Sequence, residues 1–306
     1  MSAVSGEQIW LDGQFVDWSD ATVHVLTHTL HYGLGVFEGI RCYRTVDDRS
    51  AVFRLSEHIQ RLYDSAHINL LDIPYTADVI EQACLESLRR NHLAEGYIRP
   101  LAFIGDGEMG LNPGGNPIRV AVIAWAWGKY LGEEGLARGI RAKVSTFSRH
   151  HVNSKMTKGK TCGDYVNSIL AKREALLDGY DEAIMLDTQG LVSEATGENL
   201  FAVHDGVIAT PTLHGVLDGI TRATIIEIAR DKGIPVEERA MTRDELYVAD
   251  EVFLTGTAAE VTPIREIDRR SVGNGGRGPI TAALQNAFFD VVAGRERKYE
   301  RWLTHV

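Results

Sequence analysis

The chain has 306 residues, 44% hydrophobic and 24% charged, with a formal net charge of −10. That length exceeds one small core and suits one large or two medium domains of ordinary globular composition. The negative balance excludes a general phosphate-backbone binder, so no nucleic-acid partner is expected, and an anionic ligand must be met by local Arg, Lys or helix N-termini.

In chain order, Ile9-Trp10-Leu11, Asp12-Gly13 and Phe15-Val16 read as a hairpin. His24, His28 and His31 fall at i, i+4 and i+7, one face of a helix, but no carboxylate motif accompanies them and no metal site is expected. Phe37–Tyr43 and Ala51–Arg54 read as strands. A helix is predicted from Ser56 as N-cap, with Ile59, Leu62, Tyr63 and Ala66 on one face, and a second over about Thr76–Asn91. Tyr97–Ile104 and Ile118–Trp127 are strand-like, and the Gly/Pro-rich stretch 105–115 between them is a long loop of the kind that carries function. A polar, glycine-rich segment then suggests domains at 1–127 (small, N-terminal) and 139–306 (large), joined by a linker at 128–138.

The second half alternates more regularly. Strands are predicted at Ala142–Phe147, Glu182–Leu186, Leu200–Val203 and Glu251–Leu254, with helices at about Gly163–Asp178, Gly219–Lys232 and Pro279–Ala293. Asp205-Gly206 marks a hairpin turn and Thr242-Arg243-Asp244-Glu245 a capping box. The fold class is α+β, two domains with mixed sheets and flanking helices, rather than a regular βαβ ladder. Three scattered cysteines (Cys42, Cys84, Cys162) without a CxxC pair argue for a reducing compartment. With no leader pattern at the start and no apolar run near the roughly 20 residues of a membrane span, a cytoplasmic protein is expected.

The stretch His151–Ser168 crowds Lys155, Lys158 and Lys160 ahead of Gly163, Asp164 and Tyr165. Crowded lysines are one way to hold an amine nucleophilic for Schiff-base chemistry, although a solvated basic loop needs no chemistry at all. Gly159-Lys160-Thr161 also resembles the end of a phosphate-binding P-loop, but the first glycine of that motif would fall at Ser154, and the preceding Ser148-Arg149-His150-His151 is too polar for its strand. A P-loop nucleotidase is therefore disfavoured. A pyridoxal phosphate site needs a lysine for the aldehyde, a carboxylate at the ring nitrogen, a donor to the phenolate oxygen and phosphate ligands. Lys160, Glu194, Tyr165, the helix start Gly219-Ile220-Thr221 and Arg61 are candidates for these places. Each also has a plain reading as a cap, a core tyrosine or a solvated cation.

Eight segments occur in order: Tyr32-Gly33, Val36-Phe37-Glu38-Gly39, His58-Ile59-Gln60-Arg61-Leu62, Tyr97-Ile98-Arg99-Pro100, Lys160 with Gly163 and Tyr165, Ser193-Glu194 with Gly197-Glu198-Asn199-Leu200-Phe201, Gly219-Ile220-Thr221-Arg222, and Gly256-Thr257-Ala258-Ala259-Glu260. Together they resemble the class IV (fold type IV) aminotransferases, most closely the bacterial branched-chain amino acid aminotransferases, over nearly the whole chain. The resemblance implies pyridoxal 5′-phosphate as cofactor and amino-group transfer from leucine, isoleucine or valine to 2-oxoglutarate. It implies that Lys160 carries the cofactor and shuttles the substrate proton, with Glu194 at the ring nitrogen and Tyr165 at the phenolate. Arg61, Gly219, Ile220, Thr221 and Thr257 would hold the phosphate. Tyr97, Arg99, Thr257 and Ala258 would fix substrate carboxylates, and Tyr32, Phe37, Gly39, Met109, Trp127 and Tyr130 would complete the substrate pocket. The loop around Gly107–Leu111 would come from a neighbouring subunit, so a homodimer or dimer-based assembly is implied. D-amino-acid aminotransferases, amine transaminases and aminodeoxychorismate lyases share the fold and are the alternatives; Tyr97-x-Arg99 with Gly256-Thr257-Ala258-Ala259 favours the branched-chain reading.

Overall fold

The computed structural model describes residues 4–128 and 131–306. The chain forms two units that are not its contiguous halves. Lys158–Asp164 and Val291–Val306 belong with residues 1–128, and the second unit takes 129–157 and Tyr165–Asp290.

In the first unit, β1 (Gln8–Leu11) and β2 (Gln14–Asp17) form the expected hairpin, with Asp12 and Gly13 both at positive φ. There follow α1 (His28–Tyr32), β3 (Gly35–Phe37), β4 (Ile40–Arg44), β5 (Ser50–Phe53), α2 (Leu55–Ile68), α3 (Ala77–Arg90), β6 (Gly96–Ile104) and β7 (Ile118–Trp125). The sheet order is C-terminal strand (Leu303–His305), β5, β4, β6, β7, β1, β2, with β3 also on β6, and its pairings are antiparallel. Fully buried Ile59, Leu62, Ile80, Leu88 and Ile98 join α2 and α3 to one face of this sheet. Each such side chain contributes about 1.5–3 kcal/mol of burial.

Three expectations are corrected here. The strand predicted over Phe37–Tyr43 is two strands in one register on β6, because Glu38 N donates to Pro100 O (2.9 Å) but Pro100 has no N–H to donate back. The first long helix is capped not by Ser56 but by Arg54, which is left-handed (φ 53°). Of the three histidines, only His28 and His31 lie in α1, so the three do not share a helical face.

The second unit contains α4 (Gly132–Arg138), β8 (Ile140–Val144), α5 (Tyr165–Leu177), β9 (Glu182–Leu186), β10 (Val192–Ala195), β11 (Asn199–His204), β12 (Val207–Thr210), α6 (Ile220–Asp231), β13 (Val236–Glu238), α7 (Arg243–Tyr247), β14 (Glu251–Gly256), β15 (Glu260–Ile267), β16 (Arg270–Ser271) and α8 (Pro279–Val292). Its sheet runs β10, β9, β8, β15, β14, β11, β12, β13, with β16 on β15. It is mixed: β8 is parallel to both β9 and β15, and β12 to β13. The segment expected as a linker carries α4, whose acidic first turn (Glu133, Glu134) and buried Leu136 explain a helix there. Thr242 and Glu245 form the predicted capping box of α7.

Candidate active site

The lysine-rich stretch ends as a strap across β3. Lys160 N donates to Ser65 Oγ on α2 (3.0 Å), and its carbonyl accepts from Phe37 N (3.1 Å). Val36 and Thr161 form an antiparallel bridge, Asn69 Nδ2 donates to Thr161 Oγ1 (3.2 Å), and Gly163 N donates to Gly33 O (2.9 Å). At Gly33 the φ is +77° and a Cβ would stand 3.0 Å from Gly163 Cα, so the close approach needs glycine. These bonds hold the backbone at Lys160 and beyond it, with Nζ 5.1 Å from the Phe37 ring centroid.

Strand alternation on β6 sends Ile98, Ala102 and Ile104 toward the helices, and Tyr97 and Arg99 to the other face. Cross-strand register puts Trp125 and Arg41 opposite Tyr97 on that face. The Tyr97 ring meets Trp127 edge-on (centroids 4.4 Å) and Trp125 at 5.1 Å. The Arg99 guanidinium lies 4.6 Å from the Phe37 centroid and 5.5 Å from that of Tyr97. Its Nε is buried with no hydrogen-bond partner among the described residues. A carboxylate ligand is the acceptor such a donor calls for.

Glu38 is fully buried and accepts from Arg61 Nε (2.6 Å), Arg61 Nη2 (2.9 Å) and His58 Nδ1 (2.7 Å). Burial alone would raise its carboxyl, but Arg61 and then His58 outweigh that and hold it far below the usual range. His58 is held below its ordinary value, by burial first, against the pull of Glu38. It is therefore neutral, and since a carboxylate only accepts, Nδ1 carries the proton.

In the second unit, Glu194 on β10 is buried. Arg149 Nε lies 3.1 Å from its Oε1 as an ion pair, without the alignment of a hydrogen bond. Arg149 is itself clamped, donating to Ser168 Oγ (2.7 Å) and to Ala195 O (2.6 Å). Leu217 N donates to Glu194 Oε2 (3.2 Å), Ser193 Oγ to Gly215 O (3.1 Å) and Asn199 Nδ2 to Leu217 O (3.0 Å). The Ser193-to-Asn199 segment thus fixes the loop that delivers the N-terminus of α6. At its cap, a Cβ on Gly219 would lie 1.9 Å from Asn199 Oδ1, so only glycine fits. Ile220 and Thr221 open the helix, whose N–H groups and dipole favour an anion. Thr257 and Ala258 form the turn from β14 to β15, and Tyr165 is the first residue of α5.

The first unit therefore brings together Lys160, Phe37, Gly39, Tyr97, Arg99 and Trp127, with Arg61 bound to Glu38. Tyr32 does not join that cluster: it is exposed on α1, and its ring packs on His28 at 4.5 Å. Met109 is exposed in the 105–115 loop, which His28 Nε2 ties down at Gly110 O (2.7 Å). Tyr130 lies outside the described residues. Arg149, Glu38, His58 and Ser65 contact candidate site residues and were given no role from the sequence. The one available signal was that a buried Glu194 requires a cation, and spacing does not say which. The donor set fits pyridoxal phosphate. The first unit offers a backbone-held amine; the second offers a carboxylate that Arg149 favours in the ionised form a protonated ring nitrogen requires, a phenol, and a helix N-terminus for a phosphate.

Residues 35–267 match the family described as amino-transferase class IV. The chain is 53% identical to a branched-chain-amino-acid aminotransferase of Pseudomonas aeruginosa, over 97% of each chain. It is 46% identical to that of Escherichia coli K12, covering 100% of this chain and 99% of the other. Among solved structures it is similar to the Escherichia coli branched-chain amino acid aminotransferase (TM-score 0.96, 46% identity, 98% and 99% of the two chains). It is likewise similar to the branched-chain amino acid aminotransferase from Thermobaculum terrenum in its PLP-form (TM-score 0.92, 36% identity, 98% of each chain).

Proposed function

Because the chain belongs to the class IV aminotransferases and transfers amino groups between branched-chain amino acids and 2-oxo acids with pyridoxal 5′-phosphate, we propose that Lys160 and Glu194 are the two residues on which its chemistry turns. Bound, the cofactor supplies an aldehyde that captures an amino group and a ring that withdraws electrons. Lys160 Nζ would hold that aldehyde in the resting enzyme and would take and return the proton at the substrate Cα. Glu194, backed by Arg149, would accept the hydrogen bond of the protonated ring nitrogen, and the Tyr165 hydroxyl would serve the phenolate oxygen. Arg61, Gly219, Ile220, Thr221 and Thr257 hold the phosphate.

Tyr97 and Arg99, with the backbone of Thr257 and Ala258, hold the carboxylates, and Phe37, Trp127 and Tyr130 receive the aliphatic side chain. One pocket must accept both leucine and glutamate. Aromatic walls with one arginine do so without stranding a charge beside the aliphatic substrate. The observation that carries this reading is the buried, partnerless Arg99 Nε among the rings of Phe37, Tyr97 and Trp125.

We further assign a homodimer in which the 107–111 loop of one subunit completes the site of the other. It is supported by the exposure of Val25, Leu30, Met109 and, at 91%, Leu111. A cytoplasmic location rests on the three free cysteines. The test is the visible absorbance of the purified protein on adding L-leucine and then 2-oxoglutarate. Loss and return of the cofactor band is expected in wild type, and its absence in Lys160→Ala. Turnover by Lys160→Ala, or a response to D-alanine and not to L-leucine, overturns the reading.

A further inference from the structure

Glu194 belongs to a larger buried charge cluster inside the second unit. Glu182, at the start of β9, is fully buried and accepts from Lys172 Nζ (2.5 Å), Thr196 Oγ1 (2.6 Å) and Ala183 N (2.8 Å). Glu198 lies across the β10–β11 turn from Glu194, 5% exposed, with Gly197 N donating to its Oε2 (3.0 Å) and Ala195 N to its carbonyl (2.8 Å). The cluster thus holds three carboxyls (Glu182, Glu194, Glu198) and two cations (Lys172, Arg149). Lys172 is bound to Glu182, and Arg149 to Glu194 and to Ala195 O in the same turn. A third ionised carboxyl would leave the group one negative charge in excess in a low-dielectric interior, which a retained proton removes.

We propose that Glu198 keeps its proton at neutral pH and so leaves Arg149 committed to Glu194, making Glu198 a positioning residue for the carboxylate that serves the ring nitrogen. The groups facing it pull both ways, and burial with Glu182 prevails. Its carboxyl is pushed up to about 8, by burial first and then by Glu182, against the opposing pull of Lys172 and Arg149. On losing the proton, Glu198 competes for the Arg149 guanidinium, and Glu194 loses part of its partner. This consequence rests on the role assigned to Glu194 above; the proton itself does not.

The test is infrared spectroscopy of the holoenzyme across pH, paired with the pH profile of kcat. A protonated-carboxyl band is expected at pH 6, fading toward pH 9 and missing in Glu198→Gln. That variant should keep turnover near pH 7 while its alkaline fall flattens. In Glu182→Gln, with Lys172 released to Glu198, the band should fade at lower pH. An unchanged band in Glu198→Gln overturns the retained proton. A lost band with an unmoved kcat profile overturns the positioning role. Failure of the Glu194 reading shows separately, as a Glu194→Gln holoenzyme with normal spectrum and turnover.

Discussion

Gly39 shows how tightly single residues set this site. A Cβ there would lie 1.8 Å from the Tyr97 hydroxyl and 2.7 Å from its ring carbon, and the ring is held between Trp125 and Trp127. Gly39→Ala is therefore expected to displace Tyr97 and lower kcat/KM for leucine by tenfold or more, as displaced positioning groups do. In a Tyr97→Phe background the added cost of Gly39→Ala should shrink, because the worst contact is gone; full additivity would contradict the argument. One residue earlier, Glu38 faces a guanidinium and an imidazole in the interior. Glu38→Gln removes the charge that Arg61 was buried against, and a loss of about 3–5 kcal/mol in unfolding free energy is expected from denaturant titration.

At the scale of elements, the strap that bears Lys160 depends on bonds from two sides. Ser65→Ala would leave the Lys160 N–H without its acceptor, which costs about 1–3 kcal/mol and lets the strap move at its reactive residue. The expected outcome is a lower kcat with KM for leucine little changed, because the Tyr97–Arg99 face is untouched. A rise in KM alone would argue that the strap positions substrate instead. Elements with strong local signals were legible in the sequence: β9 runs from Glu182 to Leu186 as read, and Thr242 with Glu245 caps α7. β15, at the centre of the second sheet, was not. Its sequence contains Pro263, Arg265 and Glu266, and only the flanking β8 and β14 make it a strand. The break at Glu38 was hidden for a related reason: it comes from Pro100 on the neighbouring strand, which has no N–H to return to Glu38. Lys160, Glu194 and Tyr97 could be named from motifs, whereas Arg149 is far from Glu194 in the chain and joined to it only by the fold.

For the whole molecule, these buried groups predict opposite stability changes at the two ends of the pH scale. Glu38 and His58 are both held below their ordinary values of 4.5 and 6.5, so the folded state favours their unprotonated forms. The stability they contribute is complete above about 6.5 and is lost as pH falls, first through His58 and then through Glu38. Glu198 is raised from 4.5 to about 8, so its contribution is complete below about 4.5, is lost as pH rises from there to about 8, and changes no further above. The midpoint of thermal unfolding should therefore fall as pH rises from about 6.5 to 8 and level off above that, fall as pH drops below about 4.5, and change least between, where His58 and Glu198 oppose each other. The limbs should separate by mutation. Glu198→Gln flattens the alkaline limb and leaves the acid one, while a neutral replacement at His58 that keeps a donor to Glu38, such as His58→Gln, reduces the acid limb alone. Calorimetry of the holoenzyme and both variants below about pH 4.5 and at pH 7 and 9 decides this, and parallel curves for the three proteins would show that other groups govern the dependence.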